Sequence, residues 1–134
     1  MAHNLVLVQQ EQSMNKPNVS GQHWLVEFYN TPRLDDESHI REAMTAAVKA
    51  SGATLLRIDL HHFGDGKGIT GVALLAESHL SIHTWPEHGY AALDIFMCGG
   101  NARPQAALDV LVDMLKPGRV EVKKVERGNV RDER

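Results

Sequence analysis

Between Leu74 and Gly100 the chain concentrates its chemically capable residues: "LLAESHLSIHTWPEHGYAALDIFMCGG". Glu77, Ser78, His79, Ser81, His83, Glu87, Asp94 and the only cysteine, Cys98, all fall within it. Several chemistries are compatible with such a set. His61-His62 and His79-x-x-x-His83 invite a metal. A zinc site wants three or four converging ligands, often with cysteines, and no Cys-x-x-Cys exists here, so no metal is assigned. A hydrolase could pair Ser78 with His83 and use Asp94 to orient the imidazole. Ser78, however, follows Glu77 at a strand start, without the Gly-x-Ser-x-Gly elbow that exposes an attacking serine. Gly64-Asp65-Gly66-Lys67-Gly68 lacks the Ser/Thr and the following helix of a phosphate-binding loop, and reads as a turn.

The elements that must hold these residues are legible from periodicity. "GQHWLVEFY" alternates as a strand that is apolar enough on both faces to suggest burial. After "NTPRLDD", Ile40, Ala43, Met44, Ala47 and Val48 recur at helical spacing from Asp36 until Gly52 ends the helix. "ATLLRIDLHHF", "ITGVALLA", "HLSIHTW" and "GYAALDIFM" read as four further strands. A second helix follows "CGGNARP", with Ala106, Ala107, Val110, Leu111, Met114 and Leu115 on its inner face. Pro117-Gly118 stops it, and "RVEVKKVE" is a last, cleanly alternating strand. The order β-α-β-β-β-β-α-β implies an α+β fold: a two-layer sandwich with one mainly antiparallel sheet covered on one face by two helices. Strands apolar on both faces lead us to expect a second chain against the open face. Residues 1–20 read as a flexible N-terminal extension, 21–128 as the domain, and 129–134 as a charged tail.

The run "AESHLSIHTWPEHGYAALDIFMCG" resembles the signature of prokaryotic S-adenosylmethionine decarboxylase proenzymes. The similarity extends to "GQHWLVEFY", "SGATLL", "HHF", "GITGVALLAES" and "VEVKKVERG", covering about residues 21–128. Members of that family cut their own chain before a serine. The resemblance therefore implies cleavage between Glu77 and Ser78, giving a β chain of residues 1–77 and an α chain of 78–134. The Ser78 hydroxyl would attack the preceding carbonyl and turn the amide into an ester, a step helped by proximity and backbone strain. Removal of the Ser78 α-proton then splits the chain by β-elimination, and hydrolysis of the resulting dehydroalanine leaves a covalent pyruvoyl group. By the same resemblance, His83 is the proton acceptor in processing, Cys98 the proton donor in decarboxylation, and Thr70 a processing hydroxyl where the family commonly has Ser. The pyruvoyl group would form a Schiff base with substrate and act as an electron sink.

Strict alternation puts Ser78 on the side of Leu80 and Ile82, opposite His79, Ser81 and His83. If His83 is the base, a bend or bulge is expected near the cleavage site. The substrate implied is S-adenosylmethionine, whose decarboxylated form is the aminopropyl donor for spermidine. Its sulfonium and adenine call for aromatic faces and negative potential, for which Phe63, Trp85, Tyr90 and Glu87 are available. Homologues with the same self-cleaving signature act on L-arginine or L-ornithine, and an unprocessed, non-catalytic binding homologue is a further reading. The family implication is a homodimer of αβ units joined sheet to sheet, with each site near the interface.

Composition narrows the class. A net charge of −3 argues against nucleic acid as a partner. One cysteine forbids an internal disulfide and fits a reducing, cytoplasmic setting. The N-terminal apolar run, Leu5 to Val8, is too short for a secretory signal, and nothing approaches the roughly 20 apolar residues of a membrane span.

Overall fold

The computed structural model describes residues 5–10, 21–98 and 101–128. Its elements run β1 (Leu5–Gln10), β2 (Gly21–Tyr29), α1 (Glu37–Ser51), β3 (Leu55–His62), β4 (Ile69–Leu75), β5 (Ser78–Trp85), β6 (Tyr90–Cys98), α2 (Pro104–Leu115) and β7 (Arg119–Arg127). The sheet order is β1-β7-β2-β6-β5-β4-β3. The six strands β2 to β7 are antiparallel throughout. The α+β reading with two packed helices therefore holds.

The alternation seen in the sequence becomes a two-sided sheet. Trp24, Val26 and Phe28 of β2, Leu80 and Ile82 of β5, Leu93, Ile95 and Met97 of β6, and Val120 and Val122 of β7 are buried. They form one core with Ile40, Ala43, Met44, Ala47 and Val48 of α1 and Ala107, Leu108, Leu111 and Leu115 of α2. Burying each large apolar side chain contributes about 1.5–3 kcal/mol. On α2 the inward stripe is rotated slightly from the expected one: Leu108 is fully inside and Ala106 only partly. Asp36 caps α1 by accepting the His39 N–H at 3.1 Å, and Gly52 ends it at φ +81.

Two expectations need correction. The extension at residues 1–20 contains a strand, because Leu5–Gln10 pairs in parallel with Arg119–Lys124 of β7. The β7 edge away from β2 offers unpaired peptide groups that this apolar run satisfies. Residues 1–4 and 11–20, with the tail at 129–134, lie outside the described residues. The bulge expected near the cleavage site is also absent: Ser78 through His83 pair with β4 without a register shift. The local irregularity at this end of β5 is a single torsion at Ser78, described next.

The sheet face away from the helices is mixed in character. Val72, Leu74 and Trp85 stand exposed on it beside a ladder of polar and aromatic side chains.

Candidate active site

β4 and β5 form a hairpin whose pairing ends at Leu75↔Ser78, so only Ala76 and Glu77 make the turn. Two-residue hairpin turns favour positive φ at their central residues, which Gly or Asn supplies easily. Here neither Ala76 nor Glu77 adopts positive φ; Ser78 does, at +153. That conformation is sterically costly for a residue with a Cβ, so strain sits at the Glu77–Ser78 peptide.

This peptide is held from both sides. The Cys98 N–H donates to the Glu77 carbonyl at 3.1 Å, while the Ala76 N–H donates to the Thr54 carbonyl at 3.0 Å. Thr54 also donates its backbone N–H to Glu77 Oε1 at 2.9 Å, and its hydroxyl lies 3.4 Å from Oε2. Cys98 itself is partly exposed and a free thiol. Gly21, directly alongside, makes room for it: a Cβ there would lie 2.7 Å from Cys98 Sγ.

The remaining predicted residues gather at the opposite end of β5. A pocket of about 660 Å³ is lined by Phe63, Thr70, His83, Trp85, Glu87 and the 65–68 loop. Thr70 Oγ1 lies 3.2 Å from His83 Nδ1, across the register pair Thr70↔His83. The loop is the turn read from its glycines, closed by Phe63 N–H to the Gly68 carbonyl at 3.0 Å. A Cβ on Gly68 would strike the Thr84 carbonyl oxygen, so the loop can lie flat against β5 only with glycine there. Trp85 stacks on Tyr90 at 5.2 Å, and Tyr90 on Tyr29 at 5.4 Å. Burial first, and then the carboxylate of Glu27 to which its hydroxyl donates, push the Tyr90 phenol well above its ordinary range.

Between the two ends lies a polar network. Asp94 bonds His23 Nε2 at 2.9 Å and the Ser81 hydroxyl at 3.1 Å. Asp94 is thus the partner of His23, and the structure does not bring it to His83 as a hydrolase would need. His23 stacks on Phe96 at 5.2 Å, and His79 meets Phe96 edge-on at 5.8 Å. Ser78 Oγ lies 3.2 Å from His79 Nδ1. Desolvation, then the neighbouring His23, lower the His79 pKa against the opposing pull of Asp94. Among the described residues, no three His, Cys, Asp or Glu side chains gather as a metal would require.

One chain therefore brings the predicted residues together as two separate groups. Glu77, Ser78 and Cys98 meet at one end of β5, and Phe63, Thr70, His83, Trp85 and Glu87 at the other. Sequence reasoning missed His79 as the neighbour of Ser78, Thr54 as a clamp and Gly21 as the space for the thiol. Adjacency alone pointed to the first; the other two arise from long-range pairing.

Comparison with known proteins places the whole domain. A family model described as S-adenosylmethionine decarboxylase matches residues 22–128. The S-adenosylmethionine decarboxylase proenzyme of Parasynechococcus marenigrum (strain WH8102) is 52% identical over 101 residues, 74% of this chain and 78% of the relative. That of Thermomicrobium roseum is 44% identical over 112 residues, 84% of this chain and 97% of the relative. The crystal structure of the adenosylmethionine decarboxylase from Aquifex aeolicus VF5 is similar with a TM-score of 0.78 at 38% identity, covering 87% of this chain and 97% of that one. With the family model spanning most of the chain and these identities over most of its length, the chain belongs to the S-adenosylmethionine decarboxylase family.

Proposed function

We propose that this chain is a self-processing decarboxylase of S-adenosylmethionine whose pyruvoyl group is made from Ser78. The observation that carries the assignment is the state of the Glu77–Ser78 peptide: Ser78 sits at φ +153 and the Glu77 carbonyl is gripped by the Cys98 N–H. Strain raises the starting peptide in energy, and a positioned N–H stabilises negative charge as it develops on the carbonyl oxygen. Both favour attack by the Ser78 hydroxyl. Cleavage there yields the β chain 1–77 and the α chain 78–134.

The surroundings fit a pyruvoyl group at the new α-chain terminus. When present, that group supplies an electron sink for decarboxylation. The chain's own residues do the rest. Cys98, a free thiol beside the cleavage point, is the group placed to return a proton to the substrate α-carbon. That role requires a reduced thiol, which suits the cytoplasm. His83 is the acceptor for the Ser78 α-proton during processing, and the Thr70 hydroxyl, 3.2 Å from its Nδ1, orients the ring. Phe63 and Trp85 offer aromatic faces for a sulfonium and an adenine, with the Glu87 carboxylate near the same pocket. Neither arginine nor ornithine carries an adenine ring to fill this pocket.

These roles imply an assembly. Ser78 and His83 are five residues apart on one straight strand, about 17 Å at roughly 3.3–3.4 Å per residue. His83 therefore serves the Ser78 of a second copy. A two-fold axis crossing β5 near Ser81, with open faces stacked, sets the Ser78 end of one chain against the His83 pocket of the other. The exposed Val72, Leu74 and Trp85 support burial of this face. The product is the aminopropyl donor for spermidine synthesis.

Intact mass under denaturing conditions tests the proposal. Two chains splitting at Glu77/Ser78 are expected, the α chain lighter by one ammonia, with carbon dioxide released from S-adenosylmethionine and not from arginine or ornithine. A single stable chain of 134 residues on long incubation at neutral pH would overturn it.

A further inference from the structure

The side-chain partner of the Ser78 hydroxyl is not the histidine to which the family motif points. Oγ lies 3.2 Å from Nδ1 of His79, whereas His83 bonds Thr70 at the far end of the strand. We propose that His79 is the base that takes the Ser78 hydroxyl proton in the first, acyl-shift step of self-cleavage, leaving the later α-proton to His83. This inference rests on the reading of Ser78 given above.

A serine hydroxyl is a poor nucleophile until a base within hydrogen-bond reach accepts its proton. His79 meets that distance, and its surroundings fix it in place. Phe96 of β6 packs against the imidazole at 79°, and the His23 ring of β2 lies 6.2 Å away, also edge to face. The charged and titratable groups facing it are His23, Asp94 and Arg127. Asp94 is already engaged by His23 and Ser81, so its charge is partly spent on them. Desolvation, His23 and Arg127 together favour the neutral imidazole, the form a base must have. In the tautomer that carries hydrogen on Nε2, Nδ1 is free to accept from Ser78.

The step balances without a co-reactant. The Oγ–H proton passes to Nδ1 as Oγ bonds to the Glu77 carbonyl carbon. The carbonyl electrons move onto oxygen, where the Cys98 N–H meets them at 3.1 Å. As the tetrahedral centre collapses, the bond to the Ser78 nitrogen breaks. His79 then returns the proton to that nitrogen, giving an ester and a free amine. Position 79 is next to the bond being exchanged, so one imidazole can serve both transfers.

The experiment separates the two steps by trapping the ester, which hydroxylamine cleaves and an amide resists. His83→Ala is expected to accumulate a chain that hydroxylamine cuts between residues 77 and 78. His79→Asn, which keeps a hydrogen-bond acceptor but no base, is expected to slow cleavage at least 100-fold and to hold no hydroxylamine-sensitive bond. External imidazole should restore cleavage to His79→Ala, which a purely structural role would not allow. In the His83→Ala chain, ester formation should fall off with a midpoint below pH 6.5, so the test stands even if position 79 tolerates no substitution. Cleavage of His79→Asn at the wild-type rate, ester accumulation in that variant, or a flat pH profile would each overturn the assignment. Failure of the unmodified chain to cut at Glu77/Ser78 would overturn the function proposed above along with it.

Discussion

At Cys98, the backbone and the side chain have separable duties. The N–H holds the Glu77 carbonyl, while the thiol occupies space left by Gly21. Gly21→Ala would push a Cβ to within 2.7 Å of Sγ, so the thiol must move while the β2–β6 pairing can persist. We expect kcat to drop about 10- to 100-fold with chain cleavage still complete, measured by carbon dioxide release and by denaturing electrophoresis. At Thr70 the hydroxyl is the relevant group. Thr70→Ser should process like the parent, and Thr70→Val should process roughly tenfold or more slowly, in a time course of chain cleavage. Residue identities were the most legible part of the site: Ser78, His83 and Cys98 were named from their motif. Partnerships were not. Sequence alternation separated Ser78 from His79, yet a single positive φ at Ser78 lets its hydroxyl reach the ring of the next residue.

Among the elements, the hairpin β4–β5 and the start of α1 are tied by one buried side chain. The Thr84 hydroxyl accepts the Ile69 N–H at 2.9 Å and donates to the Leu34 carbonyl at 2.7 Å. Thr84→Val preserves shape but leaves both backbone groups unpaired, so a loss of about 2 kcal/mol in urea unfolding is expected. Asp36 governs the entry to α1. The Arg33 hydrogen bond, then the His39 N–H, hold its carboxyl down to about 2. A carboxyl depressed in the folded state stabilises it above the ordinary carboxylate range, and that contribution disappears as pH falls through about 2. Asp36→Ala should therefore lower Tm by a few degrees at pH 7, with the difference shrinking as pH falls toward 2 and gone below it, in thermal unfolding followed by circular dichroism. Helices and the strands β2 to β7 were readable because their apolar periods are local properties. β1 was not, since its pairing partner lies more than a hundred residues away on an edge that only the finished sheet exposes. The strand's length also held a message that side-counting overlooked: residues 78 and 83 on one straight strand cannot share one reaction centre.

For the whole molecule, that separation yields a complementation test. Ser78→Ala and His83→Ala chains, each unable to mature alone, should form mixed dimers in which the His83→Ala chain is cut at Glu77/Ser78. No cleavage on co-expression would place both residues' work within one chain and refute the face-to-face arrangement. Size-exclusion chromatography with light scattering should find the mass of two copies. The clamp of Thr54 on Glu77 has a different consequence. If the turn is cut at Glu77/Ser78 as proposed, Glu77 becomes a chain end still fastened by its own side chain, and the five register pairs from Thr70↔His83 to Leu74↔His79 still join β4 to β5. The cut sheet stays together, yet its unfolding now releases two molecules instead of one. Reassembly then depends on concentration, because the covalent turn that joined the two strands is gone. A fold written as one sentence and kept as two would then persist by the slowness of its unfolding rather than by any capacity to begin again.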